Sequence, residues 1–584
     1  MKKVIVGHRG VGKSDFLKRH QAYLQQSGLD ILHLDLDQEI EKEAQISIEK
    51  IFEKSGENYF RSLEIKIFNR LFLANKNFVI SLGAGFNLQM LPTDVQILFV
   101  SRASDKAGRI FLNRPRLNKA VSALAEYTER FAARQSNYLN KATSIYFMPE
   151  GLEELNTLES QIVKNEFTIS DCFYTLTENE LPNLFELKNN YKKIELRSDL
   201  LNEESIRQIV KTDSTFSWIV SVRTEGFSPV QNVLMDYDQS LMSMPSGFDK
   251  KNQDQSIVSS HIDSLDLAIE SLIPFKNSHL KLSPLVENFE ELWTGHRWQQ
   301  ESPATRSFLP RSRTGKWTWF RQQSKYFQKI NFVRNFLNLS DQPSPYQWLS
   351  LPEVRPTQFA AVLGTPIGLS RSPQFHHEFF NRKNTYFSAI EINESEFQEF
   401  YPWLVQLGLG FAAVTSPLKK RAYEISSRRS AFAENFRSVN TLVFLGNNIY
   451  SQNTDIVGFK TLIESASVSS TDQIAVWGGG GTLEMMKSIL PQAHFFSSRT
   501  ATLKDKELIS VKDFKPDILI WSASRNSDTQ WPIKSWKPRL VIDLNYFQNS
   551  MGLEYAQKIN AQYLSGLTMF NAQALEQQTY WSQT

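Results

Sequence analysis

The first residues equipped for chemistry are Gly7-His8-Arg9-Gly10-Val11-Gly12-Lys13-Ser14, set between the apolar run Lys3–Val6 and the helix-forming stretch Asp15–Gln26. Gly7, Gly10 and Gly12 let backbone N–H groups curl around phosphate oxygens, Lys13 neutralises the terminal phosphates, and Ser14 offers a hydroxyl to Mg²⁺. The turn predicts a nucleotide such as ATP and leaves the acceptor open. Further along, charges stand where strands give way to loops: Glu195 and Arg197, then Arg223-Thr224-Glu225, His261, and Lys281. Such charges line the mouth of a barrel of parallel strands. A lysine held there in its neutral form attacks carbonyls, and a histidine moves protons. Near the end, the strand Gln473–Val476 runs through Gly478-Gly479-Gly480-Gly481 into the helix Thr482–Leu490. This is a turn that lets a pyrophosphate approach a helix N-terminus. After the next strand, His494–Phe496, comes Ser497-Ser498-Arg499-Thr500, with no acidic residue to accept from a ribose 2′-hydroxyl. Arg499 suits the 2′-phosphate of NADP(H) instead.

These residues need sheets to carry them. The first ~165 residues alternate short apolar strands with charge-rich helical segments, which marks a parallel α/β sheet. A second strand series is expected at Phe167–Ser170, Lys193–Leu196, Trp218–Val222, Val233–Asp236, Ile257–Ser260 and His279–Leu282, with two more near Phe308 and Lys329. A Pro-punctuated polar stretch, Asp341 to Pro356, reads as a linker before the alternation resumes. The expectation is three α/β domains, 1–166, 167–345 and 356–584, the last with lobes at about 356–470 and 471–550 and its final helices returning to the first lobe. With 584 residues, 41% apolar and 22% charged, the composition is that of a globular chain of several domains. Lys and Arg exceed Asp and Glu only by 65 to 62, so bulk charge makes no case for nucleic acid or an anionic membrane. No apolar run approaches the ~18–20 residues of a membrane helix, and Met1 to Arg9 does not read as a signal peptide. The single cysteine, Cys172, forms no intrachain disulfide and fits a reducing cytoplasm.

The P-loop is followed by Leu34-Asp35-Leu36-Asp37, by Gly56-Glu57 with Phe60-Arg61, by Leu82-Gly83-Ala84-Gly85, by Asn113-Arg114-Pro115-Arg116-Leu117 and by Arg134-x-x-x-Tyr138. This ordered series resembles shikimate kinase over the whole first domain. The resemblance implies that Asp35 helps to hold Mg²⁺, that Asp37 accepts from the shikimate hydroxyls, and that Arg61 and Arg134 clamp its carboxylate. Gly83 would approach the substrate closely, and Arg114 would belong to a lid over ATP. Ala84 stands where the family has a third glycine, and Arg116 where a leucine is usual.

The charged strands of the middle segment resemble type I 3-dehydroquinate dehydratase, a (β/α)₈ barrel with a Schiff-base lysine. The resemblance makes Lys281 that lysine, His261 the general acid/base, and Glu225 the residue that orients His261. Glu195, Arg197 and Arg223 would hold hydroxyls and carboxylate, with Arg313 a further candidate. About 180 residues is short beside the ~250 of a typical barrel, so a shortened barrel is expected, and the family's Ser-Ala-Pro-Gly-Gln closing loop is not recognisable near Phe327-Gln328-Lys329.

The third segment carries Gly368-Leu369-Ser370-Arg371-Ser372-Pro373, Ala413-Val414-Thr415-Ser416-Pro417-Leu418-Lys419, Ser438-Val439-Asn440-Thr441, Asn453-Thr454-Asp455 and Gly566-Leu567-Thr568 through Gln573. From about residue 358 onward it resembles shikimate dehydrogenase, a two-lobed fold with a Rossmann NADP domain. Ser370 and Ser372 would then bind the carboxylate, Thr415, Asn440 and Gln573 the ring hydroxyls, and Lys419 with Asp455 would form the catalytic pair. Gly478, Gly480, Gly481, Ser498, Arg499 and Thr500 would hold NADP(H). Leu369, Ala413, Ser498 and Trp477-Gly478-Gly479 depart from the family pattern. The order kinase, dehydratase, dehydrogenase resembles the last three domains of the fungal arom protein. It implies a cytoplasmic enzyme taking 3-dehydroquinate to shikimate 3-phosphate through small-molecule intermediates. Two alternatives stay open: a regulator like the quinate repressors, and an enzyme with one inactive domain, the dehydratase.

Overall fold

The computed structural model describes residues 2–26, 31–102, 105, 123–147, 167–176, 184–212, 216–241, 256–334, 341–367, 370–479, 482–504, 514–523, 529–546 and 550–584. The chain forms two compact units, Met1–Arg102 with Ala133–Arg355, and Pro356–Thr584 with Ala103–Ala132. Each unit holds two sheets, and the class is α/β as expected. No helix among the described residues is long and apolar enough to cross a membrane.

The first sheet is parallel, with strands in the order Leu32–Asp35, Phe78–Ser81, Lys2–Val6, Gln96–Ser101 and Ser144–Phe147. Its central strands are apolar on both faces, with Val4, Ile5, Val79, Ile80, Phe99 and Val100 fully buried, as helices on both sides require. Strand Lys2–Val6 delivers the P-loop to the helix Lys13–Gln26. Gly10 and Gly12 take φ of 73° and 100°, a region that side chains rarely adopt.

The second sheet has eight parallel strands in sequence order around the ring: Phe173–Thr175, Lys193–Arg197, Ser217–Val222, Leu234–Asp238, Ser256–Ser260, His279–Leu282, Arg306–Phe308, and Phe332–Val333 back beside the first. The seventh and eighth strands do not pair. Gln328 bridges that gap, accepting from Phe308 N at 3.0 Å and donating to the Ile330 carbonyl at 3.1 Å. The barrel is short because residues 223–233 join the third strand to the fourth without a helix. Its first strand is Phe173–Thr175 and not the expected Phe167–Ser170, where Ile169 makes only a single bridge to Tyr191. The buried run Cys172-Phe173-Tyr174 took the ladder instead.

Successive strand residues face opposite ways, so i and i+2 share a face. Glu195 with Arg197, Ser221 with Arg223, Asp236 with Asp238, Ser259 with His261, and Lys281 with Ser283 therefore all turn inward in register. Elsewhere the same barrel is filled by Phe173, Ile219, Ile257, Leu309, Ile330 and Phe332.

The third sheet is mixed, in the order Phe387–Glu391, Phe359–Gly364, Leu409–Val414, Thr441–Leu445, Asn448–Gln452, Arg428–Arg429. The fourth is parallel, in the order His494–Phe496, Ile474–Gly478, Ile518–Ser522, Leu540–Asp543, Gln562–Ser565. Trp477, Trp521 and Trp536 are buried against one face of it with Phe496 and Phe514. The last helix, Leu567–Gln583, packs on Asp455–Ser465 and on Ser372–Asn381 of the third-sheet region.

Candidate active sites

In the P-loop region, Lys13 Nζ donates to the Gly7 carbonyl at 3.0 Å and stands 3.3 Å from that of His8. Ser14 Oγ donates to Asp35 Oδ2 at 2.6 Å, while Asp35 Oδ1 accepts from Asp37 N at 3.1 Å and so caps the helix Leu36–Ala44. A hydroxyl and a carboxylate, both hard oxygen groups, thus meet beside the P-loop lysine. Arg61 contacts Glu57 at 3.0 Å and the buried Glu64 at 2.8 Å. Burial lifts the Glu64 carboxyl to about 7; Arg61 and Arg134 pull it down, and Asp37 pushes it further up. At Gly83, a Cβ would lie 2.7 Å from Glu64 Oε1 and 3.0 Å from Asp37 Oδ1, so only glycine fits beside this cluster. Asp37, Arg61, Gly83 and Arg134 are therefore brought together as expected. Arg114 lies outside the described residues.

At the barrel centre, Lys281 is buried and its Nζ contacts Asp236 Oδ2. Ser221 Oγ donates to Glu195 Oε1 at 2.6 Å and stands 3.1 Å from Asp236 Oδ2, while Thr175 Oγ1 donates to Glu195 Oε2 at 2.5 Å. Burial alone would raise the Asp236 carboxyl, but Lys281, Arg223 and His261 outweigh it and hold it below the usual range. His261 Nδ1 stands 2.7 Å from Asp238 Oδ2, and Arg223 Nη1 donates to the same oxygen at 3.1 Å. Burial, with help from Arg223 and Lys281, draws the His261 ring down to about 4 against the pull of Asp238. The ring is neutral at pH 7, and its Nδ1 faces a carboxylate.

Two sequence expectations are corrected here. Glu225 does not orient His261: its side chain is exposed on the third-strand loop, and Asp238 holds the ring. Arg313 is exposed as well. The neighbouring Arg311 is the one tied to the strand ends: it donates to the His261 and Ser283 carbonyls at 2.8 Å and meets Asp263 at 2.8 Å. The sequence reading also passed over Asp236 and Asp238. Their signal was present: two charges at i and i+2 at the end of the fourth strand repeat the Glu195/Arg197 pattern of the second.

In the third region, Lys419 opens the helix Lys419–Ile425 and Asp455 opens Asp455–Ser465, and Nζ lies 2.5 Å from Oδ2. Asn440 Nδ2 lies 3.0 Å from Asp455 Oδ1 and 2.9 Å from Gln573 Oε1. Gly458 makes this possible: a Cβ there would meet the Met569 carbonyl at 2.5 Å, so the two helices close and carry Gln573 to the pair. Lys419, Asp455 and Gln573 line a cavity of about 190 Å³ together with Ser370, Ser372, Thr415, Tyr546 and Gln577, and Asn440 stands behind them. In the fourth sheet, Gly478 and Gly479 take φ of 106° and 126°, and Lys504 Nζ donates to the Gly478 carbonyl at 2.6 Å. Ser497 Oγ accepts from Arg499 N and Thr500 N at 3.3 Å, Ser498 is partly buried, and the Arg499 and Thr500 side chains are exposed. Gly480 and Gly481 lie outside the described residues.

A P-loop α/β fold, an eight-stranded barrel with a buried lysine, and a two-lobed α/β fold with a glycine turn define a multidomain protein of small-molecule chemistry. Residues 9–148 match the model of the family described as shikimate kinase, and residues 362–442 that of the shikimate dehydrogenase substrate binding domain. Over 238 residues the chain is 28% identical to the shikimate biosynthesis protein AroDE of Chlamydia pneumoniae, covering 38% of this chain and 49% of that one. It is 25% identical over 260 residues to shikimate dehydrogenase (NADP(+)) of Acinetobacter baumannii, covering 39% and 96%. It is 23% identical over 602 residues to pentafunctional AROM polypeptide 1 of Lodderomyces elongisporus, covering 88% of this chain and 38% of that one. The matched part thus spans about half of the AroDE protein and well under half of the AROM polypeptide. The chain is thus similar to the AROM polypeptide over 88% of its own length, with one segment that matches the shikimate kinase model and one that matches the shikimate dehydrogenase substrate binding model.

Proposed function

We propose that the chain catalyses three consecutive reactions: dehydration of 3-dehydroquinate, reduction of the product to shikimate, and phosphorylation of shikimate. Residues 1–166 phosphorylate, 167–345 dehydrate and 356–584 reduce, in a reducing cytoplasm where the buried Cys172 stays a free thiol. The observation that carries the reading is the 2.5 Å contact of Lys419 with Asp455 in a cavity lined by Ser370, Ser372, Thr415 and Gln573. It is a proton-donating pair in a space sized for one small hydroxylated acid.

ATP with Mg²⁺ supplies the phosphoryl group and NADPH the hydride; the remaining work falls to the chain's own side chains. In the reductase, Ser370 and Ser372 hold the carboxylate, and Thr415, Asn440 and Gln573 hold hydroxyls. Lys419 gives its proton to the ketone oxygen, and Asp455, gripped by Asn440, keeps it aimed. Arg499, exposed beyond its strand, would hold the 2′-phosphate of NADPH, and Gly478, Ser498 and Thr500, with Gly480 and Gly481 by the resemblance, would hold the rest of it. In the kinase, Arg61 and Arg134 fix the substrate carboxylate, and Asp37 accepts from the reacting hydroxyl. Lys13 offsets phosphate charge, and Ser14 with Asp35 fits a magnesium ion.

In the barrel, Lys281 Nζ attacks the ketone carbon, and the ketone oxygen leaves as water with protons routed through His261. The iminium acidifies the neighbouring C–H, neutral His261 removes that proton, and the ring hydroxyl leaves as a second water. Water then hydrolyses the imine and frees Lys281, for a net loss of one water. Asp236, held ionised, stabilises the cation.

The test is one coupled assay of the full chain with 3-dehydroquinate, NADPH and ATP·Mg²⁺, products resolved by mass. Shikimate 3-phosphate is expected. Turnover of supplied 3-dehydroshikimate and shikimate without dehydration would confine the activity to the flanking domains. No turnover at all would point to a sensor of these acids.

A further inference from the structure

The core of the third-sheet region holds an imidazole to which the proposed reactions give no part. His376, on the helix Ser372–Asn381, is 0% exposed and packs against Phe375, Phe387 and Trp581 at ring-centroid distances of 5.3, 5.0 and 4.9 Å. A polar ring among aromatic ones is unfavourable unless both nitrogens find partners. Both do. Gln578 Nε2 stands 3.2 Å from His376 Nδ1, and Gln577 Oε1 stands 3.2 Å from His376 Nε2. An amide nitrogen only donates and an amide oxygen only accepts, so the ring carries its proton on Nε2 and is neutral. Burial acts in the same sense and draws the ring down to about 3. Gln577 Nε2 in turn donates to the Asn440 carbonyl at 2.9 Å. Every bond of this row runs one way, from Gln578 through His376 and Gln577 to Asn440.

The row joins two helices that meet the acid cavity at different points. His376 stands one turn beyond Ser372, which opens its helix, and Gln577 stands one turn beyond Gln573 on the helix Leu567–Gln583. Ser372, Gln573 and Gln577 all line the cavity that holds Lys419 and Asp455. Asn440 is gripped from both turns of the last helix, its Nδ2 meeting Gln573 Oε1 at 2.9 Å and its carbonyl accepting from Gln577. The bond from His376 to Gln577 therefore ties the hydroxyl proposed for the carboxylate to the amides proposed for the ring hydroxyls. A ligand held at both ends is sensitive to that spacing, because a misplaced end loses its hydrogen bonds. With a carbon in place of Nε2, the buried Gln577 Oε1 would lose this donor and the amide would turn to find another.

We propose that His376 is a positioning residue of the acid cavity: it fixes the Gln577 amide, and with it the spacing of Ser372 from Gln573 and Asn440, without touching the substrate. The inference rests on the reductase reading and deepens it. Its test measures reduction of 3-dehydroshikimate by NADPH in the full chain, for the wild type, His376→Phe, His376→Gln and Gln578→Leu. His376→Phe keeps a ring in the aromatic cage and loses both nitrogens. Its acid KM should rise about ten-fold, the scale of one buried hydrogen bond. Its kcat and NADPH KM should stay within about two-fold of wild type. His376→Gln, which returns a donor toward Gln577, should recover most of the loss. Gln578, half-buried, meets the ring at the nitrogen turned away from Gln577, so Gln578→Leu should raise acid KM a few-fold through the ring. A ring that serves packing alone would affect stability and leave acid KM where it was. An unchanged acid KM in folded His376→Phe overturns the assignment, and so does a raised KM that His376→Gln fails to recover. If His376→Phe does not fold, Gln578→Leu decides, and an unchanged acid KM there overturns it. In each of these cases reduction by the wild type stands. A wild type that does not reduce 3-dehydroshikimate overturns the reductase reading and this inference with it.

Discussion

Two lysine–aspartate contacts, alike in composition, sit in opposite settings. The Lys281 and Asp236 side chains are 2% and 1% exposed, inside a ring of regular strands. Those of Lys419 and Asp455 are 19% and 7% exposed, each at the start of a helix that follows a strand. On the roles proposed for them, the difference follows from what each lysine is asked to do. An imine must be shielded from water until the ring hydroxyl has left, so its lysine belongs among inward-facing strand positions, where neighbouring charges can be counted and fixed. A proton donor must be recharged at every turnover, so it belongs where solvent still reaches it. Burial in the first case demands a network: Thr175, Ser221, Arg223 and Asp238 all serve to satisfy Glu195, Asp236 and His261. The second pair makes do with Asn440 and Gln573.

Removing each lysine should expose that contrast most strongly. Lys281→Ala deletes the nucleophile and strands a buried carboxylate, so dehydration should fall by about 10⁴-fold or more, and the chain should lose ~3–5 kcal/mol of stability. Lys419→Ala should cost reduction about 10²–10⁴-fold, with a smaller loss of stability because water can reach Asp455. Borohydride with 3-dehydroquinate should add mass to the peptide bearing Lys281 and none to that bearing Lys419. An adduct on another lysine would move the site. Urea unfolding and separate rate assays of the two variants complete the measurement, and equal stability losses would erase the distinction between dry and wet pairs.

The next effect tests the network. Asp238→Asn removes the carboxylate facing His261 Nδ1, and dehydration should drop by about 10²–10³-fold, as when the orienting partner of a catalytic base is lost. Glu225→Gln, on an exposed loop side chain, should change it by less than about two-fold. A reversal of these two results would return the orienting role to the loop.

That pair also shows how far the sequence could be read. The P-loop, the glycine turn and the residues Lys419, Asp455, Asn440 and Gln573 stand on short contiguous motifs, and the structure brings Lys13 to the P-loop carbonyls and Lys419, Asp455, Asn440 and Gln573 to one another. Strand positions were legible too, because buried parallel strands are continuous apolar runs, though Phe167–Ser170 lost to its neighbour Phe173–Thr175. What failed was pairing across the barrel. Glu225 was assigned through the resemblance, yet a residue's place in a motif on a loop implies nothing about the direction of its side chain. Asp238 reaches His261 from the neighbouring strand, a relation fixed by register alone.

A smaller effect is expected at the open end of the comparison. Arg499 is exposed, so the contact proposed for it with a 2′-phosphate would exchange with water and be screened by salt. NADPH should be preferred over NADH in the unmutated chain. Arg499→Ala should narrow the gap about ten-fold through cofactor KM, on the scale of ~1.4 kcal/mol, and raising the ionic strength should narrow it likewise. Equal kcat/KM for the two cofactors in the unmutated chain would remove the role assigned to Arg499.

The smallest effect comes from a group between the two extremes. Glu64 in the kinase region is as buried as Asp236 but less well paired, and burial lifts it to about 7 where Asp236 stays ionised. Below that pH its carboxyl is neutral and leaves Arg61 to the substrate carboxylate. As pH rises through about 7, Glu64 ionises, draws Arg61 to itself at 2.8 Å and repels the neighbouring Asp37. Shikimate KM in the phosphorylation reaction should therefore rise across this range by roughly three- to ten-fold, while kcat changes little. The sign for stability agrees. A folded pKa raised above the ordinary value of 4.5 means that the folded state binds more protons between about 4.5 and 7, so stability falls as pH rises through that window. Glu64→Gln keeps the shape and removes the titration, so both slopes should flatten. A KM profile unchanged by that substitution would show that Arg61 keeps Glu64 ionised throughout, and the kinase site would then belong with the fully paired barrel centre.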